Sequence, residues 1–334
     1  MPQLAAPWEI KRTLLVKAEE ETDPRYGCKP QERSAEDHVR FGVINLDKPS
    51  GPSSHEVTAW VKRLLNLKHA GHGGTLDPKV TGILPITLED ATKVVQAVLL
   101  SGKEYVCVMR LHHEAPESKI RTLFNEFTGA IYQLPPVRAS VKRQLRIRRI
   151  YYFNLLETSN KNVLFQVSCE AGTYIRKLCY DIGEALGVGA HMQELRRTRA
   201  GPFSESSNMV TLHDIAYYID QWQQTKDATA LRKFVQPMEK ALDPLPKMVI
   251  RDSAVDAICH GANLAAPGVL AIDSNIKPNE TVAILTQKAE AVALARALIT
   301  TEETMELNRG IVAKTTRVLM PRGRYPKMWH KANS

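Results

Sequence analysis

The sequence predicts an α+β domain with a mixed sheet, followed by a small, mostly β barrel. Between residues 41 and 240, strand-like and helix-like runs alternate without a strict strand–helix–strand repeat, which argues against a purely parallel sheet. After residue 246, short apolar runs are separated by Gly, Pro and Asn, as is typical of small barrels. We therefore predict a main domain at 41–246, a barrel with a basic tail at 247–334, and an N-terminal extension at 1–40 that needs a docking surface to be ordered.

The first elements of the main domain follow from local signals. Phe41–Lys48 is a strand-like run closed by the Pro-Ser-Gly-Pro turn at 49–52. Ser53 followed by Glu56 is a capping box, and the apolar spacing after it predicts a helix ending near Leu64.

Gly and Pro then punctuate the chain, and periodicity assigns the runs between them. The predicted order is a loop at Ala70–Gly82, a strand at 82–88, a helix at 91–98, a strand at Lys103–Leu111, a helix at 120–127 ended by Gly129, a strand with one cationic face near 144–152, a strand at 163–170, a helix at 175–186 ended by Gly187, and a connecting segment at 243–246.

Composition excludes several classes of protein. The 334 residues carry a net charge of +9, which indicates a polyanionic partner such as nucleic acid. No apolar run is long enough to span a bilayer, and the first 21 residues lack the order of a secretory signal, so we expect a cytoplasmic protein without membrane association. The five cysteines form no C-x-x-C pair, and nucleotide-binding and zinc-protease motifs are missing, so we expect no metal and no cofactor.

Basic residues are concentrated in two places. Six lie between residues 138 and 149 without an intervening acid, and three more lie at 196–199. A single such residue is most often only solvated, but two clusters of one sign favour a track for RNA phosphates. The residues concerned are Arg138, Lys142, Arg143, Arg146, Arg148, Arg149, Arg196, Arg197 and Arg199.

One carboxylate, Asp77, lies in the glycine-rich stretch AGHGGTLDPKVTG. Glycines allow a substrate to approach the backbone closely, which favours a site. Asp and Pro are also common in ordinary turns. The loop by itself supports both interpretations equally.

Six motifs in order resemble those of TruB-type pseudouridine synthases, and in particular the dyskerin branch that forms the catalytic subunit of archaeal-type box H/ACA ribonucleoproteins. The tail from about 249 is similar to a PUA domain. The motifs are NLDKPSGPSSHEV (45–57), GHGGTLDPKVTGIL (71–84), GKEYV (102–106), VKRQLR (141–146), EAGTYIRKL (170–178) and GVGAHMQELRRTRAGPF (187–203).

The resemblance implies isomerisation of uridine to pseudouridine in RNA, without a cofactor. It makes Asp77 the essential carboxylate, Arg176 the cation that keeps Asp77 ionised, and Tyr105 the ring that stacks on the extruded base and removes the proton from carbon 5. An ionised Asp can add to the ribose or the base, or stabilise a cation, and the sequence leaves this choice open.

Further roles follow from the same resemblance. His72 is expected near the flipped nucleotide, Tyr174 at the pocket wall, and Lys48 and Pro49 in support of the active-site loop. Contacts to RNA are expected from the residues Lys142, Arg143, Arg146, Arg148 and Arg197.

The family also implies partners. These are a box H/ACA guide RNA anchored by the PUA domain with the docked N-terminal extension, a substrate rRNA or tRNA, small accessory proteins and a kink-turn-binding protein. Two departures stand out: Gly73 replaces the Ser of many relatives, and the order Arg-Ala-Ser-Val at 138–141 is unusual. We expect the first change to leave the loop intact.

Two other functions remain open. A stand-alone synthase acting on the tRNA T-arm would use the same Asp77, so the motifs hardly separate it from a guided enzyme. A non-catalytic RNA-binding scaffold would need no carboxylate at that position.

Overall fold

The computed structural model describes residues 4–136 and 142–327, which form eighteen strands and nine α-helices. The strands are β1 Leu14–Val16, β2 Gly42–Lys48, β3 Ala70–His72, β4 Thr81–Leu88, β5 Lys103–Leu111, β6 Gly129–Gln133, β7 Arg146–Ser159, β8 Asn162–Cys169, β9 Ala190–Ala200, β10 Phe203–Ser204, β11 Met209–Val210, β12 Val235–Pro237, β13 Lys247–Ile250, β14 Leu264–Ala265, β15 Val269–Asp273, β16 Thr281–Thr286, β17 Ala291–Ala297 and β18 Ile311–Val318. The helices are α1 Ala35–Arg40, α2 Ser54–Leu64, α3 Val95–Leu100, α4 Glu117–Glu126, α5 Ile175–Leu186, α6 Leu212–Thr225, α7 Thr229–Arg232, α8 Asp252–Cys259 and α9 Thr301–Glu306.

The main domain is built on one mixed sheet of eleven strands in the order β11-β2-β4-β9-β5-β8-β7-β6, with β10, β12 and β3 added at the side of β9, β2 and β4. Its strands are mostly antiparallel, while β4 runs parallel to β9. The α+β class with a mixed sheet is therefore confirmed.

A short seam divides this sheet into two halves. The first half-sheet contains β2, β3, β4, β11 and β12, and the second contains β5 to β10. Only Thr81 and Gly82 of β4 pair with Arg196 and Arg197 of β9 across the seam. Gly82 has φ +99°, and a side chain there would place its Cβ 2.2 Å from the Arg197 carbonyl oxygen, so a glycine is needed for the strands to approach.

Each half-sheet has its own apolar core. Under the first half-sheet, Val57 and Val61 of α2 pack with the buried side chains of β2 and β4. Under the second, the rings of Phe124 of α4, Phe153 of β7 and Phe165 of β8 pack together. These two cores belong to one half-sheet each, whereas Ile83, Ala200 and Phe203 belong to a core that spans the seam.

The C-terminal part forms a second sheet of seven strands in the order β1-β15-β13-β16-β17-β18-β14, with a core of its own. It shares a third core with the main domain, in which Phe41 and Val43 pack with Leu285 and Leu294. The segment at 243–246 connects the two parts. Leu245 packs against this shared core, so the connection is part of a packed interface rather than a tether.

The N-terminal extension lies against the C-terminal sheet. Strand β1 pairs with β15, with Leu15 opposite Ile272. The Lys17 ammonium donates to the carbonyl oxygens of Thr304, Met305 and Leu307 at 2.6–3.0 Å, where α9 ends. These contacts order the extension by tying it to the end of a helix that otherwise leaves carbonyls unpaired.

Most predicted elements are confirmed, including the capping box of Ser53 and Glu56 and the α5 helix that ends before Gly187. Two expectations are wrong. Residues 70–72 form β3 instead of a loop, because their backbone pairs with β4. The helix expected over 91–98 starts as a 3₁₀ turn at Glu89–Val94.

The strand expected near 144–152 starts only at Arg146. Its exposed face is apolar and its half-buried face is basic, which is the reverse of the usual arrangement. Leu145 and Ile147 are the exposed side chains, whereas Arg146 and Arg148 are half-buried. The long central strand β9 was not expected, because its four charged residues equal its apolar ones in number and hide their alternation. Of the basic tail, Arg317 lies in β18, Arg324 bonds to Asp37, and Lys331 lies outside the described residues.

Replacing Lys17 with Met should loosen the N-terminal extension, because three carbonyl oxygens would lose a charged donor. Hydrogen bonds to charged groups contribute about 1.5–3 kcal/mol, so we expect a loss of that order in the local opening free energy. Hydrogen exchange of the Lys17 and Ala18 amides, which donate to the Leu270 oxygen, measures it. The control Lys11→Met changes an exposed side chain on the same segment and should leave the exchange unchanged.

Candidate active site

The Asp77 loop connects β3 to β4 and is held by hydrogen bonds on both sides of the aspartate. The buried Ser54 hydroxyl accepts from the Leu76 amide (2.8 Å) and donates to the Leu76 carbonyl (3.1 Å). A turn follows, in which the Val80 amide donates to the Asp77 carbonyl at 3.0 Å. The carboxylate is therefore presented by a fixed backbone, and its side chain is 52% exposed.

Lys48 supports this turn from below. Its ammonium is fully buried and donates to the carbonyl oxygens of Pro49, Pro78 and Val80, each at 2.9 Å. Burial is the main cause that lowers the pKa of Lys48, and the nearby Arg197 adds to it. A three-donor cation suits a site where three carbonyls converge. The role of Lys48 and Pro49 in support of an active-site loop stays a prediction, and these contacts show which atoms would provide it.

Arg176 comes from the other half-sheet, in the first turn of α5, and its guanidinium donates to the Asp77 carboxylate. Its side chain is 56% exposed, so the pair lies at the surface, where an RNA could reach it. A surface pair contributes little to stability. Its consequence is instead to bring the guanidinium of one half-sheet against the carboxylate carried by the other.

Tyr105 lies on β5, where the backbone register puts it opposite Arg197 of β9. The ring is half-buried. Burial is the main cause that raises the pKa of its hydroxyl, whereas the charge and hydrogen bonding of Arg197 lower it. Arg197 also donates to the Gly74 carbonyl at 3.0 Å, so Tyr105 and the Asp77 loop contact the same guanidinium.

A second buried cation, Lys103, lies two residues before Tyr105 on the same strand. Its ammonium donates to the carbonyls of Val98 (2.7 Å), Leu99 (3.1 Å) and Ser101 (2.7 Å), where α3 ends. Burial lowers the pKa of Lys103 to about 7, with a further contribution from Arg197. The sequence showed Lys103 only as one letter of GKEYV, and nothing in its spacing pointed to this position.

His72 lies on β3, and its half-buried ring meets His55 of α2 edge to face, with ring centroids 4.9 Å apart. Burial, and then the neighbouring His55 and Arg197, lower the pKa of His72, so the imidazole is neutral near pH 7. Its Nδ1 atom is buried and has no hydrogen-bond partner among the described residues. The position expected near an extruded nucleotide is thus occupied by a neutral ring with one open nitrogen.

Tyr174 is the residue before α5, and it is fixed by a side-chain amide from β6. Its amide donates to Gln133 Oε1 (3.0 Å), and its carbonyl accepts from Gln133 Nε2 (3.2 Å). Arg148 lies over Gly172 on the same approach, where an added Cβ would be 3.2 Å from Arg148 Nη2. Both residues therefore border the Arg176 end of the site.

The predicted basic surface is only partly formed. Lys142 and Arg143 are exposed, and Arg146 and Arg148 are half-buried nearby, whereas Arg138 lies outside the described residues. Arg196 is paired with Asp47 and Glu205.

Arg197 requires a correction. It was expected among the residues that contact RNA, but its side chain is only 1% exposed and its Nε donates to the Ile83 carbonyl at 2.7 Å. A buried guanidinium cannot reach a phosphate on the surface. Alternation along an eleven-residue strand puts Arg196 and Arg197 on opposite faces, and the sequence did not reveal that strand.

Gly73 packs closely against α3. An added Cβ there would lie 2.4 Å from Val98 Cγ1, closer than packed atoms come. The loop is intact, as expected, with Gly73 matched to this β-branched neighbour. A Ser at position 73 would not fit this packing without movement of Val98.

Residues 4–136 and 142–327 contain neither a candidate metal-binding group nor a candidate membrane-spanning helix. Three or more His, Cys, Asp or Glu side chains do not converge there as a metal-binding group. None of the helices in these ranges is long and apolar enough to cross a bilayer.

Four known domains match this chain in order. They are described as the DKCLD (NUC011) domain at 5–58, the TruB family pseudouridylate synthase N-terminal domain at 62–175, the tRNA pseudouridylate synthase B C-terminal domain at 176–243 and the PUA domain at 246–319. These matches define the class: the chain is a pseudouridine synthase with a PUA domain.

Whole-chain relatives agree. "Probable tRNA pseudouridine synthase B" of Methanopyrus kandleri is 57% identical over 97% of this chain and 95% of the relative, and that of Pyrococcus furiosus is 54% identical over 97% and 96%. Among solved structures, a Cbf5-Nop10-Gar1 complex matches at TM-score 0.93 with 54% identity over 97% of this chain and 98% of that one. An H/ACA RNP bound to a substrate RNA containing 2'-deoxyuridine matches at 0.91 with 52% identity over 97% and 100%. The chain belongs to the TruB family of pseudouridine synthases, and its fold is that of Cbf5.

Replacing Lys48 with Met should disable the site while the fold persists. Met fills a similar volume but leaves three carbonyls without a donor, so the turn that carries Asp77 shifts. Because a misplacement of about 1 Å can cost about 100-fold in rate, we expect a loss of that order in pseudouridine formation. RNA affinity should change less than about threefold, since Lys48 is not exposed to a phosphate. The control Lys62→Met, on the exposed face of α2, should keep full activity; equal losses in both variants would contradict this role.

Proposed function

We propose that this pseudouridine synthase is the guide-directed catalytic subunit of a box H/ACA particle, that it acts on rRNA, and that Asp77 carries the reaction without a cofactor. The observation that supports this most is the match over 97% of the chain to a protein solved within an H/ACA RNP on a substrate RNA. The partners we propose are a guide RNA, small accessory proteins like the Nop10 and Gar1 of the matched complex, and a kink-turn-binding protein.

The chemistry is consistent with the groups at the site. Uridine and pseudouridine are isomers: the bond from ribose C1' to N1 breaks, a bond from C1' to C5 forms, C5 loses a proton and N1 gains one. No oxidant or external group is consumed. The residues therefore need to supply an anion that reacts with or stabilises the ribose or base, and a group that moves the C5 proton.

Asp77 suits the first task, because it is exposed to a substrate and kept ionised by Arg176. Tyr105 suits the second, because an aromatic ring can stack on an extruded base while its hydroxyl accepts and returns a proton. His72 borders this space with a neutral ring. The exposed Lys142 and Arg143 would bind phosphates of the flanking RNA.

We place the protein in the cytoplasm. All five cysteines, in described positions, are free thiols, as is usual in a reducing compartment.

A second function has its own support, since the curated relatives are named tRNA pseudouridine synthases. We therefore keep a stand-alone activity on the tRNA T-arm as the alternative. A non-catalytic scaffold is no longer favoured, because the chain belongs to a family of synthases.

Guidance can be tested directly. The protein is reconstituted with its accessory proteins and a box H/ACA guide, and pseudouridine is mapped in an rRNA fragment. We expect product only at the uridine that the guide exposes, and none with a guide of scrambled pairing sequence. Equal product with the scrambled guide would reject guidance, and product on a bare tRNA transcript would establish the alternative activity.

Asp77→Asn should abolish turnover and spare RNA binding. The substitution keeps the shape of the side chain but removes the charge that Arg176 pairs with. We expect a rate at least about 1,000-fold lower, of the size seen when a reacting group is lost, and an RNA dissociation constant within about threefold. Single-turnover assays and filter binding measure the two. Asp181→Asn, which removes a carboxylate paired with Lys177 on the same helix as Arg176, is the matched control and should stay active.

A further inference from the structure

Arg197 contacts both halves of the main sheet at the point where they join. It belongs to β9 in the second half-sheet, and its Nε donates to the Ile83 carbonyl of β4 in the first, at 2.7 Å. Its Nη2 donates to the Gly74 carbonyl, three residues before Asp77, at 3.0 Å. One planar guanidinium thus ties the Asp77 loop to the strand across the seam.

The remaining side of the guanidinium faces Tyr105. The two residues are opposite each other in the β5–β9 register, and the charge of Arg197 acts on the Tyr105 hydroxyl by lowering its pKa. Gly74, with φ +129°, leaves room for this arrangement, since a Cβ there would be 3.4 Å from Arg197 Nη1. The carboxylate and the phenol of the site come from different half-sheets, and Arg197 bonds to the backbone beside one and lies opposite the other.

Packing alone does not account for an arginine here. The side chain is 1% exposed, and among the described residues no carboxylate pairs with it. A buried cation bonded only to neutral groups reduces stability compared with an apolar residue of similar volume. By contrast, Arg196 on the opposite face of β9 joins the same half-sheets through Asp47 with an ordinary ion pair. The seam therefore does not need Arg197 for cohesion.

We propose that Arg197 is a positioning residue for the isomerisation: it sets the Asp77 loop and the Tyr105 hydroxyl at one separation across the seam. This inference rests on the proposed function, because it assigns those two groups to the reaction. Arg197 itself touches no RNA.

Lysine and methionine at position 197 test the role. Arg197→Lys keeps the charge but loses the planar guanidinium, whose Nε and Nη2 reach the Ile83 and Gly74 carbonyls as two separate donors, and Arg197→Met removes both contacts. Each variant is assayed 20 °C below its own melting temperature, so that loss of folded protein does not count. We expect the single-turnover rate to fall about 30-fold or more with Lys and further with Met, and the RNA dissociation constant to stay within threefold. Arg110→Lys, on the strand that carries Tyr105 but bonded only to Asn162, should lose less than threefold.

A structural readout separates positioning from folding. With 3-fluorotyrosine at position 105, the fluorine resonance of the free protein should move in Arg197→Lys and stay in place in Arg110→Lys. Near-normal rates in Arg197→Lys, or a rate loss with an unmoved Tyr105 resonance, would overturn the inference. If Arg197→Met does not fold, Arg197→Lys decides. If the wild-type protein is inactive with every RNA tested, the proposed function is wrong. If the wild-type protein and both Arg197 variants are active, only the role of Arg197 is wrong.

Discussion

The site depends on buried cations that hold backbone carbonyls in place. Lys48, Lys103 and Arg197 are all inside the protein, and their donors go to carbonyl oxygens of the segments around Asp77 and Tyr105. Main-chain oxygens converge where turns end strands and helices, and unpaired they would cost about 1–3 kcal/mol each. An ammonium or guanidinium can satisfy two or three at once.

This arrangement explains why the groups to which we assign the reaction can be exposed and still be well placed. Asp77 and Arg176 are more than half exposed, as a substrate the size of RNA requires. Long side chains at a surface lose orientation easily, and the pair by itself would not fix the carboxylate. The order comes from the layer beneath, where Ser54 bonds Leu76 and Lys48 bonds the turn. Function and rigidity are thus assigned to different layers of the molecule.

Contacts between the domains likewise fix the parts of the molecule relative to each other. The PUA-containing part shares a core with the main domain through Leu285 and Leu294, and the N-terminal extension is tied to it through β1 and Lys17. An RNA that contacts both parts would therefore bind two surfaces whose relative position is fixed. We propose a particle in which one RNA region is anchored and another is presented to Asp77. In such a particle, the fixed distance between the two surfaces defines which uridine reaches Asp77.

The sequence by itself determined the α+β class, the order of most strands and helices, and the motifs that carry Asp77, Tyr105 and Arg176, because local periodicity, caps and turns are properties of neighbouring residues. It could not show β9, whose charged residues hide its alternation, nor that Arg197 points inward while Arg196 points out. It also could not show that Gly73 is matched to Val98, or that Lys103 ends α3. These features are contacts between residues far apart in the chain. Only the packing of the two half-sheets against each other decides them.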